Sequence, residues 1–371
     1  MKKNSTRQQS SKRSKKLTQG PITIGMDLGD KTSRYCVLDS AGEVFREGKV
    51  ATTRKAMTEE FKKLAPCRIA IEVGMHSRWV GQLLSQAGHE VIVANPREVK
   101  AISGSSRKDD RVDAETLARL ARVDPRLLRP IRHRSEQAHA HLMKIRVRSS
   151  LVEARTALIN TARGLVKAVG ERLPKCGAEQ MGTQQLQGLP ETVQATLKPL
   201  LEQVESLTKK IKESDTEIEQ IARTEYPETD LLKQVSGVGS LIALTFVLTV
   251  DDPERFRKSR DVGCYSGLRP KRKDSGERTP ELGISKEGDS YLRKLLVQGA
   301  HYIVGHWGPD TDLKRWGLKL AERGGKNAKK RAIVAVARKL AVLLHRLWVT
   351  GEVYEPLRNS QVQEALKKRA A

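Results

Sequence analysis

The sequence is poor in aromatic residues, cysteines and long apolar runs. Only 14 of its 371 residues are Trp, Tyr or Phe, which argues against a protein that binds single strands by stacking bases on aromatic rings. The four cysteines are far apart and form no CxxC or Cys/His cluster. Neither a zinc site nor a disulfide framework is therefore expected, and a reducing, cytoplasmic compartment fits best. No apolar run is long enough for a membrane span, and no apolar stretch follows the basic N-terminus as in a secretory signal.

Positive charge is abundant and unevenly distributed. The net charge is +25, from 69 Lys and Arg against 44 Asp and Glu. Residues 1–20 carry +7, residues 97–172 carry +9 and residues 301–350 carry +8, whereas residues 173–250 carry −4. Segregated positive charge predicts a polyanion partner, because a surface charged only for solubility would be more even.

Hydrophobic periodicity predicts a mixed α/β sheet followed by mostly helical structure. From Pro21 the order of elements is β-β-β-α-β-α-β-α, which is the order of the ribonuclease H superfold. The sequence predicts five parts: a disordered basic arm at 1–20, an α/β domain at 21–130, a helical segment at 131–229, a mostly helical domain at 230–350 and a polar, loose tail at 351–371.

Two long helices are predicted in the helical segment. Residues 136–173 form the first, in which Leu142, Ile145, Ser149, Val152, Thr156 and Ile159 would share one face. The second carries a heptad seam from Val193 to Ile221, which is typical of a coiled coil. Glycines and prolines at 174–190 allow the helices to fold back as an antiparallel pair, and pairing between chains is the alternative.

Four carboxylates are candidate metal ligands. Asp27 and Glu72 interrupt otherwise apolar strands, where a buried carboxylate is costly unless it binds a cation. Asp110 and Asp113 lie three residues apart at the start of a predicted helix and so share one face. Oxygen ligands suit Mg²⁺ or Mn²⁺ rather than zinc, and two such ions can clamp a phosphodiester exchange. Asp110 or Asp113 alone would more often serve as a helix cap, and physical grounds leave the neighbouring Asp109 as a further candidate.

A serine in a basic loop is a second candidate for chemistry. Ser275 lies among cations that would bind phosphate: Lys271, Arg272, Lys273 and Arg278. A serine needs such activation to act as a nucleophile. From the residues alone a Ser-Gly turn is the more common role, and Ser266 and Ser285 are equal rivals.

A glycine pair lies between two apolar helical stretches. Gly237 and Gly239 resemble the turn of a helix-hairpin-helix, in which backbone N–H groups contact a phosphate. A tight interhelical turn without a ligand accounts for the pair equally well.

The motifs resemble those of a known family over residues 21–350. GMDLG, IEVG and KDDRVDA are similar to the DEDD motifs of the RuvC-like transposases of the insertion sequence one-ten family. SGVG, GLRP, DSG, GISKEG and LRKLL resemble that family's second conserved domain, in the same order. Two collinear motif sets make a chance resemblance improbable.

The resemblance implies a mechanism and partners. Asp27, Glu72, Asp110 and Asp113 would hold Mg²⁺ in a ribonuclease H-like domain, and Ser275 would form a transient phosphoserine link to DNA. The coiled coil would support a dimer, and two dimers a tetramer. A noncoding bridge RNA would pair with donor and target DNA, while the protein reads shape and backbone as in RNA-guided nucleases. Such a protein would work in the cytoplasm at nucleoid DNA.

Three other functions compete with this interpretation. A Holliday-junction resolvase would need the carboxylates but no distant serine domain. A sugar kinase or actin-like ATPase would share GMDLGDKTSRYCVLD but needs a second phosphate loop, which the sequence lacks. An architectural DNA binder would explain the charge but not Asp27 and Glu72.

Overall fold

The structure is a computed structural model that describes residues 21–95, 110–271 and 282–361. The chain divides into two compact units, one up to His133 and one from Arg134 onward. The second unit joins the predicted helical segment to the predicted C-terminal domain. Within the described residues, no helix combines the length and apolar character needed to cross a membrane.

The first unit follows the predicted order of strands and helices. Its elements are β1 (Thr23–Asp27), β2 (Thr32–Leu38), β3 (Val44–Ala51), α1 (Arg54–Phe61), β4 (Arg68–Glu72), α2 (Ser77–Gln86), β5 (Glu90–Ala94) and α3 (Asp110–Val123). The sheet order is β3-β2-β1-β4-β5. β2 pairs antiparallel with β1 and β3, and β4 pairs parallel with β1 and β5.

Helices cover both faces of the central strands. Ile24, Met26 and Ile69 are fully buried in a core shared with α1 and α2. On the opposite face, Ala70 packs with Leu117 and Ala121 of α3 in a separate cluster. β1 and β4 are therefore buried on both sides, which explains why apolar or small residues occupy nearly every position before their last residue.

Two long helices open the second unit and form an antiparallel hairpin within the chain. They are α4 (Glu136–Ala168) and α5 (Glu191–Glu225), joined by a segment with a short 3₁₀ turn at Thr183–Leu186. Near the hairpin's open end Ile145 clusters with Ile218, and near the connecting segment Ile159 clusters with Leu201. Of the two arrangements predicted for these helices, the structure shows pairing within one chain.

The buried seam of α4 differs from the predicted one at a single step. The side chain of Thr156 is exposed and donates to the carbonyl of Val152. Arg155 is buried in its place, and its Nη1 donates to Oγ1 of Thr208 at 3.3 Å. The long aliphatic stem of an arginine can fill a position in an apolar seam. A prediction based on polarity alone therefore placed Thr156 in the seam instead of Arg155.

Shorter helices complete the second unit: α6 (Glu228–Lys233), α7 (Ser240–Val250), α8 (Ser259–Tyr265), α9 (Ser290–Val304), α10 (Asp312–Glu322) and α11 (Ala328–Thr350). The predominantly apolar α7 is buried along most of its length, packed among α4, α5, α9 and the neighbouring α6. The last five of these helices lie in the stretch 230–350, which the sequence predicts to be mostly helical.

The segment after Gly351 was expected to be loose, and for residues 352–361 that expectation is wrong. Asp312 accepts hydrogen bonds from the backbone of Asn359 and from the backbone and hydroxyl of Ser360, the last at 2.6 Å. The backbone N–H of Asp312 donates to the carbonyl of Pro356. Residues 352–361, called here the C-terminal strap, therefore dock on the start of α10. A largely polar sequence hides this docking, because much of it depends on hydrogen bonds, to which Tyr354 adds an apolar contact with the core of the unit.

Candidate active site

Two predicted carboxylates lie side by side at one end of the sheet. Asp27 is the last residue of β1 and Glu72 is the last residue of β4. Asp27 directly follows Met26, and Glu72 directly follows Ile71. Met26 and Ile71 are partners in the parallel register of β1 and β4. The two carboxylates therefore end their strands rather than interrupt them, which corrects the prediction. Both are half-buried at the strands' carboxyl ends.

The first turn of α3 brings the other two carboxylates to the same face. Gly25 lies directly under α3, where a Cβ atom would overlap backbone atoms of Ala114 and Ala118. Since side chains alternate along a strand, Asp27 projects to the face that Gly25 opens to the helix. Asp113 precedes Ala114, and Asp110 lies one turn earlier. A glycine thus permits the close helix–strand approach that assembles the four acids.

The electrostatics of the site show that the four carboxylates act on one another. Burial raises the pKa of Asp27 to about 6, with further contributions from the charges of Asp110 and Asp113, while a hydrogen bond from the backbone of Leu28 lowers it. Burial likewise raises the pKa of Glu72, together with the charges of Asp27 and Asp113. Like charges held close in a partly desolvated site favour either protonation or a bound cation.

The donor set fits a hard divalent cation in its chemistry. It contains only carboxylate oxygens, and Asp110 and Asp113 start a helix whose dipole favours negative charge. In the part of the chain that the structure describes, however, no three His, Cys, Asp or Glu side chains already lie in a ligand arrangement. The acids are gathered at one place without being drawn into a coordination shell.

The structure adds neighbours that sequence reasoning missed. Arg34, which pairs with Asp27 in the β1–β2 register, places Nε 3.9 Å from Oδ2 of Asp110. His76 follows Glu72 by four residues and accepts a hydrogen bond at Nδ1 from the indole of Trp79. Its Nε2 lies 3.6 Å from Oδ1 of Asp30. The spacing of residues in the sequence does not mark this histidine as a metal ligand. Its position beyond the end of β4, beside Asp30, is seen only in the structure.

The predicted nucleophile lies outside the described residues. Ser275, with Arg272, Lys273 and Arg278, falls within residues 272–281. The ends of that segment are held together, since Pro270 and Ile284 form a β-bridge and the N–H of Lys271 donates to the carbonyl of Gly283 at 2.9 Å. The neighbouring Asp109 also lies outside the described residues.

Both rival serines are described and both make structural hydrogen bonds. Ser266 is 1% exposed, and its hydroxyl donates to the carbonyl of Gly263 at 3.1 Å. Ser285 is half-buried, and its hydroxyl accepts from the backbone of Glu287. These contacts give each rival a role in the local fold.

The predicted glycine turn connects α6 to α7. Gly237 has φ +87°, a conformation that favours glycine, and a side chain there would meet Gly299 and Tyr302. Gly239 precedes α7 in extended conformation with open space around its Cα. Gly237 is therefore explained by the backbone alone. The open space at Gly239 agrees both with a turn that contacts a phosphate and with a tight interhelical turn that binds no ligand.

Known proteins resemble the chain across both units. A DEDD transposase model of the IS110 type matches residues 24–170, and the model of the transposase IS116/IS110/IS902 family matches residues 229–314. The transposase for insertion sequence element IS1111A of Coxiella burnetii is 30% identical over 340 residues, covering 89% of this chain and 90% of the relative. The chain belongs to this family of insertion-sequence transposases. A protein of Pseudomonas aeruginosa named "Probable family 20 transposase" is 30% identical over 347 residues, which are 90% of this chain and 98% of the relative.

Family membership confirms the resemblance predicted from the motifs. The DEDD-type match covers the sheet and its four carboxylates, which agrees with a ribonuclease H-like fold for the first unit of the transposase. The second match lies in the other unit, as expected for a transposase and not for a resolvase that needs the carboxylates alone. The kinase and architectural alternatives are set aside for the same reason.

Proposed function

We propose that this transposase cuts and rejoins DNA strands with a divalent metal at the carboxylate site and a serine nucleophile. The observation that carries the proposal is the electrostatic coupling of Asp27, Glu72, Asp110 and Asp113 at one end of the sheet. Such coupling destabilises the ionised site when it is empty and is relieved by a cation.

The four carboxylates would hold Mg²⁺, or Mn²⁺ in its place. A bound ion would polarise the scissile phosphate and neutralise charge that develops on its oxygens. The chain's own contribution is placement: Gly25 lets α3 approach, and Arg34 near Asp110 adds positive charge at the rim.

Ser275 would supply the attacking oxygen. Its hydroxyl would give up its proton as Oγ bonds to phosphorus, while the bond from phosphorus to one bridging oxygen of the DNA backbone breaks and that oxygen takes up a proton. Rejoining would reverse these changes. The structural roles of Ser266 and Ser285 support this choice. The flanks of segment 272–281 also support it, since Pro270 pairs with Ile284 and Lys271 with Gly283, so the two ends of the segment that contains Ser275 lie next to each other.

An RNA guide and an oligomer complete the proposal. The basic blocks provide the backbone-binding charge that a bridge RNA pairing with donor and target DNA would need. The hairpin offers a surface for pairing dimers and then a tetramer, because α4 and its C-terminal cap residue expose apolar side chains in two pairs four residues apart: Met143 with Val147, and Leu165 with the cap residue Val169. The transposase oligomer with its RNA would act in the cytoplasm on nucleoid DNA.

Trapping the covalent intermediate tests the proposal. The wild-type protein, incubated with labelled element-end DNA, co-expressed RNA and Mg²⁺, should yield a protein–DNA adduct on a denaturing gel. Ser275→Ala should abolish the adduct, and Ser285→Ala, a matched change with only a weak backbone contact to lose, should retain it. An adduct formed by Ser275→Ala would contradict the serine assignment.

The metal site has its own readout. Glu72→Gln should lose strand cleavage while DNA binding stays within about twofold, because the substitution removes no lysine or arginine that could contact a phosphate. Cleavage at the wild-type rate by this variant would remove Glu72 from the site.

A further inference from the structure

A large cleft opens within the second unit and is strongly basic. It has a volume of about 2240 Å³ and is walled by α8, α10, α11 and the C-terminal strap. Among the described residues, eleven Lys or Arg side chains line it against three carboxylates. A concave, one-sided charge distribution of this kind concentrates an anionic partner.

Much of that charge is not neutralised within the protein. Lys319 of α10 and Lys330 and Arg338 of α11 make no ion pair with any acidic side chain of the described chain. Some other lining cations are paired, as Arg346 and Arg358 are with Glu352 of the strap. The charge available for a ligand therefore lies chiefly along α10 and α11.

The start of α11 places cations where a helix disfavours them. Lys329 and Lys330 lie in its first turn, which contains no acidic residue. The helix dipole is positive at that end, so these residues reduce the stability of the free protein. A bound anion would reverse that cost, since it is attracted by both the dipole and the side chains.

The described lining of the cleft offers many cations and few aromatic rings. Its aromatic lining residues are Trp316 and Tyr354. Lys339 covers the Trp316 ring with Nζ 3.9 Å from the centroid, and Tyr354 packs against the core of the second unit. Among the described residues the cleft thus presents no open ring on which a splayed base could stack.

We infer that this cleft binds the sugar–phosphate backbone of duplex DNA. Lys330 and Arg338 are eight residues apart on one helix, about 12 Å along its axis. That distance matches the axial rise of three to four nucleotides of a strand at about 3.4 Å each. The cleft rim includes Lys271 and Leu282, the residues on either side of the segment that contains Ser275. DNA held there would run beside Lys271 and Leu282, the residues that flank this segment.

The inference deepens the proposed function and rests on it for the choice of DNA, but its test needs no catalysis. The variant Lys319→Gln/Lys330→Gln removes two cations and keeps most of each aliphatic stem. The matched control Lys198→Gln/Lys210→Gln removes two exposed lysines from α5, outside the cleft. Binding of the full-length proteins to a fluorescein-labelled 30-base-pair DNA is measured by anisotropy in EDTA, from 50 to 300 mM salt.

The cleft variant should lose about 0.9 in the slope of log K against log[salt] for each phosphate contact, or about 1.8 in total. If the electrostatic part vanishes near 1 M salt, this corresponds to about 60-fold weaker binding at 0.1 M. The control should follow the wild type, and thermal unfolding should match in all three proteins.

Equal slopes for the cleft variant and the control would overturn the inference. So would a loss confined to a matched RNA duplex, which would assign the cleft to RNA instead. Failure of the proposed function looks different: the wild type would bind duplex DNA through the cleft yet give no serine adduct.

Discussion

Replacing Asp27 with asparagine should stabilise the metal-free first unit while destroying the carboxylate site. Asparagine keeps the size of the side chain and an oxygen that can accept from the Leu28 backbone, but it removes the charge that Asp110 and Asp113 repel. An active-site residue whose loss increases stability is the signature of a site built to hold a ligand rather than to hold the fold together.

The magnitude follows from the pKa of Asp27, which rises from 3.8 to about 6 on folding. A rise of that size corresponds to about 3 kcal/mol of free energy against the ionised form, and solvent screening of the half-buried group reduces it to about 1–2 kcal/mol. The folded state binds this proton more tightly than the unfolded chain. The wild type therefore carries the whole penalty above pH 6 and loses it as the pH falls through 6 towards 4.

Hydrogen exchange of peptides covering β1 and β4, followed by mass spectrometry in EDTA, measures this effect in the first unit alone. At pH 7.5 the slowest amides of Asp27→Asn should exchange about 5- to 30-fold more slowly than those of the wild type. The ratio should shrink towards one at pH 4.5. Glu59→Gln, which removes a charge from an exposed position on α1, should leave exchange unchanged.

Added Mg²⁺ should protect the wild type and narrow its gap to the variant, because the cation relieves the same repulsion. Wild-type or faster exchange in Asp27→Asn at pH 7.5, or a ratio that does not change with pH, would refute the reasoning. Either result would mean that the neighbouring carboxylates do not act on Asp27 as the geometry requires.

Two further substitutions test how the fold positions its sites. Gly25→Ala should destabilise the first unit by roughly 3 kcal/mol or more, because the new methyl group overlaps the α3 backbone; Gly74→Ala, with open space around it, is the control, and equal unfolding midpoints in urea would contradict the packing argument. Asp312→Ala should release the C-terminal strap by removing the acceptor of its hydrogen bonds, so that limited proteolysis within residues 352–361 accelerates. Asp310→Ala loses an exposed ion pair with Arg315 and should be digested by the protease at the wild-type rate. A wild-type rate of proteolysis in Asp312→Ala as well would show that other contacts hold the strap.

The sheet and its carboxylates could be predicted because each element carries its own signal. Alternating apolar residues define β1 and β4, and the acids at Asp27 and Glu72 depart from that pattern. The role of Gly25 could not be predicted, since a glycine in a strand does not say which helix crosses it. That requires α3, which begins 85 residues later in the chain.

The hairpin shows the same limit at the level of side chains. Heptad spacing located the helices and most of their seam, yet it chose Thr156 over Arg155. Hydropathy treats arginine as a surface residue, whereas burial of its stem and a hydrogen bond to Thr208 make it a seam residue.

The cleft was hidden because its walls come from distant stretches. Net charge marked residues 301–350 as basic, but the lining extends from Arg260 to the strap beyond residue 350. The strap itself depends on Asp312, whose acceptor role is invisible in composition. A charge count can identify a polyanion binder without saying where the concave surface lies.

The two sites share one physical feature, which is that each opposes the stability of the free protein. Like charges crowd Asp27 in the first unit, and cations at the start of α11 oppose its helix dipole in the second. Departures from local rules of this kind concentrate where a ligand supplies the missing charge. A cation would relieve the repulsion among the carboxylates, and phosphates would relieve the unfavourable cations at the start of α11. The two sites therefore carry charge of opposite sign and call for ligands of opposite sign. A phosphodiester backbone together with its metal supplies both, which is why the charge pattern of this transposase is better explained by DNA strand chemistry than by binding alone.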